Sequence, residues 1–154
     1  MPGYKTHVVG GILTFTGLLC LLQKLHMFHC AYLTALSCFL ATILGALFPD
    51  VDTKSKGQMM FYQGVFFYLL LLLWSHKFMM FMVVTCLMMI PLLVPHRGLF
   101  HNVFFLTSLV GVASVAALFF LPHRAYDCIV HLLFFYVGSL SHVLLDRVQT
   151  AMKF

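Results

Sequence analysis

Six long apolar runs, parted by short polar breaks, organise this chain. They cover residues 8–22, 30–48, 59–74, 78–94, 103–121 and 128–145, and the breaks fall at 23–29, 49–58, 75–77, 95–102 and 122–127. A helix needs about 20 mostly apolar residues to cross the hydrocarbon core of a bilayer, and each run with its flanks approaches that length. The runs are continuously apolar and lack the alternation of an outer-membrane strand, so a β-barrel is not expected. The pattern predicts an all-α polytopic transmembrane helix bundle of about six spans, a single transmembrane helical domain over residues 1–154. The break at 75–77 is so tight that spans three and four could instead form one hairpin dipping partway into the membrane.

Composition strengthens this reading. Apolar residues make up 62% of the chain and charged residues 8%, against roughly 25% charged in a soluble domain, so a water-soluble fold could not cover itself. There is no Glu, and the four Asp are Asp50, Asp52, Asp127 and Asp146. The net charge of +5 fits juxtamembrane Lys and Arg, and with no basic run to track a backbone, a nucleic-acid partner is not expected. The five cysteines are scattered and form no C-x-x-C pair, which indicates neither a disulfide framework nor a zinc ribbon.

Topology adds what composition could not. An alternating six-span path returns the chain so that His7, residues 49–58, residues 95–102 and His142 onward share one side. That side holds Asp50, Asp52, Asp146, His7, His96, His101 and His142, contributed by the ends of nearly every span. It also carries Lys5, Lys54, Lys56, Arg97, Arg147 and Lys153, against Lys24, Lys77 and Arg124 opposite. By the positive-inside rule the polar cluster and both termini are expected to be cytoplasmic.

The sharpest local signal is His142 followed four residues later by Asp146, a spacing that stacks the two side chains on one helix face within reach of a common cation. Imidazole nitrogen and carboxylate oxygen are ordinary ligands of zinc or manganese, although a helix-end His bonded to an Asp is the simpler reading of the pair alone. Asp50 and Asp52 follow a long apolar run and must sit at an interface or bind something, because each costs about 2.5–3.5 kcal/mol at the bilayer centre. A polar turn balanced by Lys54 and Lys56 is the plain alternative. In His96-Arg97-Gly98-Leu99-Phe100-His101, a loop can aim both imidazoles inward, and the planar fork of Arg97 suits a phosphate or carboxylate or a lipid headgroup. His7 stands at the start of the first run, where a lone His is more often interfacial than a ligand.

Taken in order, Thr6-His7, Pro49-Asp50-Val51-Asp52, His96-Arg97-Gly98-x-x-His101 and Ser141-His142-x-x-x-Asp146 resemble the YdjM-like, LexA-regulated inner-membrane metal-dependent hydrolases over nearly the whole chain. The resemblance implies a bacterial-type inner (plasma) membrane location, a divalent metal held by His and Asp, and a distant similarity to the zinc phospholipase C and nuclease group of helical hydrolases. For a catalytic site the expected roles are Asp50, His142 and Asp146 as central metal ligands, His7, His96 and His101 as further ligands, Asp52 as bridging ligand or general base, and Arg97 as the group that stabilises negative charge. Zinc is favoured and manganese is the alternative. The chain departs from the family pattern at Phe100, where Thr is usual, and at Thr53, where His often follows the second Asp, so a mononuclear site is an alternative to a multi-metal one.

The expected function is metal-assisted hydrolysis of a phosphoester in a phospholipid or lipid-linked phosphate at the membrane interface. The competing class is a non-catalytic membrane protein, either a metal or ion carrier or a structural scaffold. A carrier would want its ligands near mid-span, whereas these residues lie at span ends.

Overall fold

The computed structural model describes residues 3–26, 32–52, 56–74, 76, 78, 81–82, 85, 89 and 99–152. Among the described residues there are five long helices: α1 (Tyr4–Lys24), α2 (Tyr32–Leu47), α3 (Lys56–Trp74), α4 (Val103–Phe120) and α5 (Ala125–Ala151). A 3-10 turn, Phe48–Asp52, extends α2, and another, Pro122–Arg124, leads into α5. There is no strand among the described residues. Among the described residues, four segments are long and apolar enough to cross a membrane: Tyr4–Lys24, Thr34–Val51, Val103–Phe120 and Pro122–Ala151. Helix α3 occupies the third apolar run, and most of the fourth, 78–94, lies outside the described residues.

Helices α1, α2 and α5 pack on one another, and α4 leans on α5. In lipid, apolar side chains gain little by leaving the solvent, so helices associate where small residues let backbones approach. The crossing of α2 and α5 is built that way: a Cβ added at Gly45 would overlap the Phe135 carbonyl, and one at Gly138 would overlap the Thr42 carbonyl. Beside this contact the buried Ser139 hydroxyl donates to the Gly45 carbonyl at 3.1 Å, a polar tie across the same crossing. On α1 the two buried residues are His7 and Gly11, one turn apart, and Gly11 faces Ala46 and Ile43 of α2.

The outward faces are rich in exposed Leu, Phe and Val, including Leu13, Phe104 and Phe119, as lipid contact requires. At one end of the bundle the rings of Phe48, Phe61, Phe100, Phe105 and Phe135 interlock. Phe48 meets Phe100 and Phe135 at 5.2 Å centroid separation each, and Phe100 meets Phe105 at 5.5 Å.

Helices α1, α3 and α5 outrun the apolar stretches that predicted them. Helix α5 begins at Ala125 and runs to Ala151, past both ends of the 128–145 run, and α1 begins at Tyr4, ahead of residue 8. Hydropathy reports the part of a helix that sits in hydrocarbon, whereas backbone hydrogen bonding carries the helix on into the interface. As a result His7, His142 and Asp146 project from helical turns and not from loops.

Candidate metal centre

Five of the expected residues meet at the aromatic end of the bundle: His7 from α1, Asp50 from the 3-10 turn, His101 from the turn before α4, and His142 and Asp146 from α5. Each is delivered by a local device. Pro49, which lacks an N–H, opens a tight turn after α2 in which Phe48 and Val51 are buried and Asp50 is half-buried beside the cluster. Gln58, at the start of α3, holds the turn by donating from Nε2 to the Val51 carbonyl at 2.9 Å. On the other side of the site, Phe100 is buried in the ring cluster and Asn102 caps α4, its Oδ1 accepting the Phe104 N–H at 2.9 Å. His101 lies between these two anchors and is set over the site.

His142 is the pivot. It is completely buried, and its Nδ1 lies 2.7 Å from the carbonyl of Ala46 across the α2–α5 crossing. A carbonyl only accepts, so Nδ1 carries the proton that it donates, and a neutral ring then leaves a lone pair on Nε2. That atom has no hydrogen-bond partner and lies 3.4 Å from Asp146 Oδ2 and 3.6 Å from Asp50 Oδ1. A lone pair aimed at two carboxylates is repulsive unless a cation or a proton lies between them. An imidazole that donates one N–H to a backbone carbonyl and offers its other nitrogen is the usual arrangement of a metal-binding histidine.

The remaining donors continue the pattern. His101 Nε2 is 3.3 Å from Asp146 Oδ2 and 3.8 Å from Asp50 Oδ1. The four N···O separations among His101, His142, Asp50 and Asp146 thus run from 3.3 to 3.8 Å. The distance between ligands in a tetrahedral site with zinc bonds of about 2.0–2.1 Å is about 3.3 Å, so these N···O separations are near those of ligands sharing one ion. His7 stacks on His142 with ring centroids 3.6 Å apart and planes 12° from parallel, and its Nε2 lies 3.6 Å from Asp146 Oδ1. Two triads of donor atoms, His7–Asp50–His142 and His101–His142–Asp146, each fall within 4.8 Å. His7 and His142 are sealed, at 1% and 0% exposed, while the His101 side chain is 26% exposed, so the centre opens on the His101 side.

That opening leads to a depression of about 420 Å³ lined by His101, Val143, Asp146, Arg147, Thr150 and Ala151. Of the other expected site residues, Asp52 ends the 3-10 turn with its side chain outside the described residues, and His96 and Arg97 lie wholly outside them. Two participants were not foreseen. The Ala46 carbonyl, which fixes the His142 tautomer, leaves no trace in a side-chain motif. Arg147 follows the candidate ligand Asp146 in sequence, yet it reads there only as a topogenic charge.

Asp127 and His131 lie near the opposite end of α5. His131 Nε2 meets the Ser37 hydroxyl at 2.7 Å, and Nδ1 meets the Asp127 carbonyl at 2.6 Å. Neither residue belongs to a metal-competent group among the described residues.

No curated protein and no solved structure matches the chain. The four-motif order, the apolar helices and the convergence of His and Asp at one end of the bundle agree with the remaining comparison, a match over residues 1–151 to the model of the YdjM inner membrane protein family, to which this chain belongs.

Proposed function

We propose that this chain is a membrane-bound metal-dependent hydrolase acting on a phosphoester at the membrane interface, with a divalent ion, zinc favoured, at the His and Asp cluster. The observation that carries this reading is the buried His142 Nε2, left without a hydrogen bond and facing Asp50 and Asp146. His7 Nδ1 and Asp146 Oδ1 are likewise buried without hydrogen-bond partners. Leaving such groups unsatisfied costs about 1–3 kcal/mol each, and charged groups cost more. A divalent cation offsets that cost and neutralises the two carboxylates, so the donor set fits the ion.

When bound, such an ion polarises a phosphoryl oxygen and acidifies water. The chain's own groups then have separable tasks. Ala46 holds the His142 ring in one tautomer, His7 braces that ring by stacking, and Asp50 and Asp146 each present an oxygen to Nε2 of that ring. His101, at the open side, stands where a substrate must pass. His96 as a further ligand, Asp52 as bridging ligand or general base and Arg97 as the anion-stabilising group complete the proposed machinery. The family supports an inner-membrane setting, and the Lys and Arg count favours the cytoplasmic side for the site and termini. Six spans are the topology we favour, because α3 and α4 both start at the site end and residues 78–94 are apolar enough to return the chain.

The test is the metal content of detergent-purified protein by elemental mass spectrometry, alongside a His142→Ala variant shown to be folded by circular dichroism. Near-stoichiometric zinc or manganese in the parent, falling at least tenfold in the variant, is the expected result. A parent that takes up no metal even after reconstitution would sink the reading and leave a structural scaffold.

A further inference from the structure

The depression beside the metal centre continues along α5 in an ordered way. With 3.6 residues per turn and Asp146 taken as zero, Thr150 and Val143 fall at about 40° and 60°, Arg147 at about 100°, Leu144 at about 160° and Val148 at about 200°. One helix face therefore passes from a candidate ligand, through the lining of the depression, to a cationic residue and then to an apolar stripe. That stripe is uncovered: Leu144 is 62% exposed and Val148 45%. The Thr150 hydroxyl is already committed, donating to the Asp146 carbonyl at 2.8 Å. Arg147 is consequently the one permanently cationic group among the residues lining the depression.

Depth in the membrane agrees. The segment Pro122–Ala151 is 30 residues long, about 45 Å as helix, against a hydrocarbon core of about 30 Å. With Pro122 at the far boundary, Asp146 lies 24 residues on (146 − 122), about 36 Å along the axis, which is headgroup level. Arg147, 25 residues on (147 − 122) and about 37 Å along the axis, is then level with lipid phosphates, while Leu144, 22 residues on (144 − 122) and about 33 Å along, lies nearer the acyl region.

We infer that Arg147 and the adjoining α5 surface at Leu144 bind an anionic amphiphile, its phosphate-type head on the Arg147 guanidinium beside Asp146 and His101 and its chain running past Leu144 towards the acyl region. The inference rests on the proposed metal-centre reading and deepens it, because it names the substrate class and a side entry from the leaflet. Arg147 is a specificity-determining residue in this scheme: its planar fork suits a phosphate better than a neutral or zwitterionic head.

The experiment measures dissociation constants of detergent-solubilised protein for three probes, dioctanoyl phosphatidic acid, dioctanoylglycerol and glycerol 3-phosphate, with metal content read on the same samples. Phosphatidic acid should bind at least tenfold tighter than glycerol 3-phosphate. Arg147→Gln should lose at least tenfold for phosphatidic acid and nothing for dioctanoylglycerol, Arg147→Lys should recover part of the loss, and Leu144→Ser should weaken both lipids but not glycerol 3-phosphate. Arg124→Gln, a cationic change at the other end of α5, should change nothing.

Equal losses in the Arg124 and Arg147 variants would overturn the inference in favour of general attraction to anionic lipid. Glycerol 3-phosphate binding as tightly as the lipid would overturn it in favour of a free-phosphate site. The metal reading is scored separately: Arg147→Gln should keep its full metal content, and a metal-free parent that still binds phosphatidic acid through Arg147 would overturn the metal centre alone.

Discussion

Helix α5 carries two histidines towards its neighbour α2, eleven residues and about 16 Å apart, and they are treated in opposite ways. His131 has both nitrogens engaged: Nδ1 meets the Asp127 carbonyl, and Nε2 meets the Ser37 hydroxyl, which also lies 2.9 Å from the Thr34 carbonyl. His142 has one nitrogen engaged, by the Ala46 carbonyl, and the other is left over in a dry place against two carboxylates. A polar group kept in the membrane for packing is expected to be satisfied by its neighbours, as His131 is. An unsatisfied one is the mark of a group held ready for a ligand. The difference lies in what surrounds each ring, since a His on an apolar helix looks the same in either setting.

The comparison breaks most completely if the helix crossing that positions both rings is removed. Gly138→Ala adds a single methyl where the Thr42 carbonyl already stands. Alanine is the better helix former by about 1 kcal/mol, so any destabilisation comes from the lost approach of α2 and α5. We expect a loss of about 4 kcal/mol or more, read as a collapse of thermal stability in detergent, together with loss of bound metal. A variant as stable as the parent would show that the crossing is not as tight as described.

Phe100→Ala comes next. The ring is buried between Phe48 and Phe105 and anchors the turn that carries His101. Truncating a packed Phe costs about 3 kcal/mol, and freeing His101 should weaken metal binding about tenfold without abolishing it. Unchanged affinity would remove His101 from the centre and leave the donors of α1, α2 and α5.

These two residues also show what was legible beforehand. The all-helical membrane character was plain from the apolar runs, and the gathering of His7, Asp50, His101, His142 and Asp146 followed from counting crossings, since span ends on one side must be neighbours. Phe100 read as a lost hydroxyl in the family pattern, whereas in the fold it is a buried wedge that seats its neighbour. The tight approach at Gly45 and Gly138 was not legible, because a glycine in an apolar run gives no sign of which backbone it faces. Nor was the tautomer of His142, which depends on a carbonyl from another helix 96 residues away in the chain. Side-chain pattern reports which face a residue occupies; backbone partners across a helix crossing have no such signature.

The smallest predicted effect sharpens the comparison from its satisfied side. Ser37→Ala removes the hydroxyl that ties α2 to α5 through His131. Interhelical hydrogen bonds in membranes average only about 0.6 kcal/mol, since the loosened segments find other partners. The expected result is a stability loss of that order, with bound metal and lipid affinity at parental levels, because the Ala46 and His142 contact lies about three helical turns away and shares no partner with Ser37. Metal content that fell with the hydroxyl would mean that the two ends of α5 act as one polar system. His131 would then have to be counted with the site and not with the scaffold.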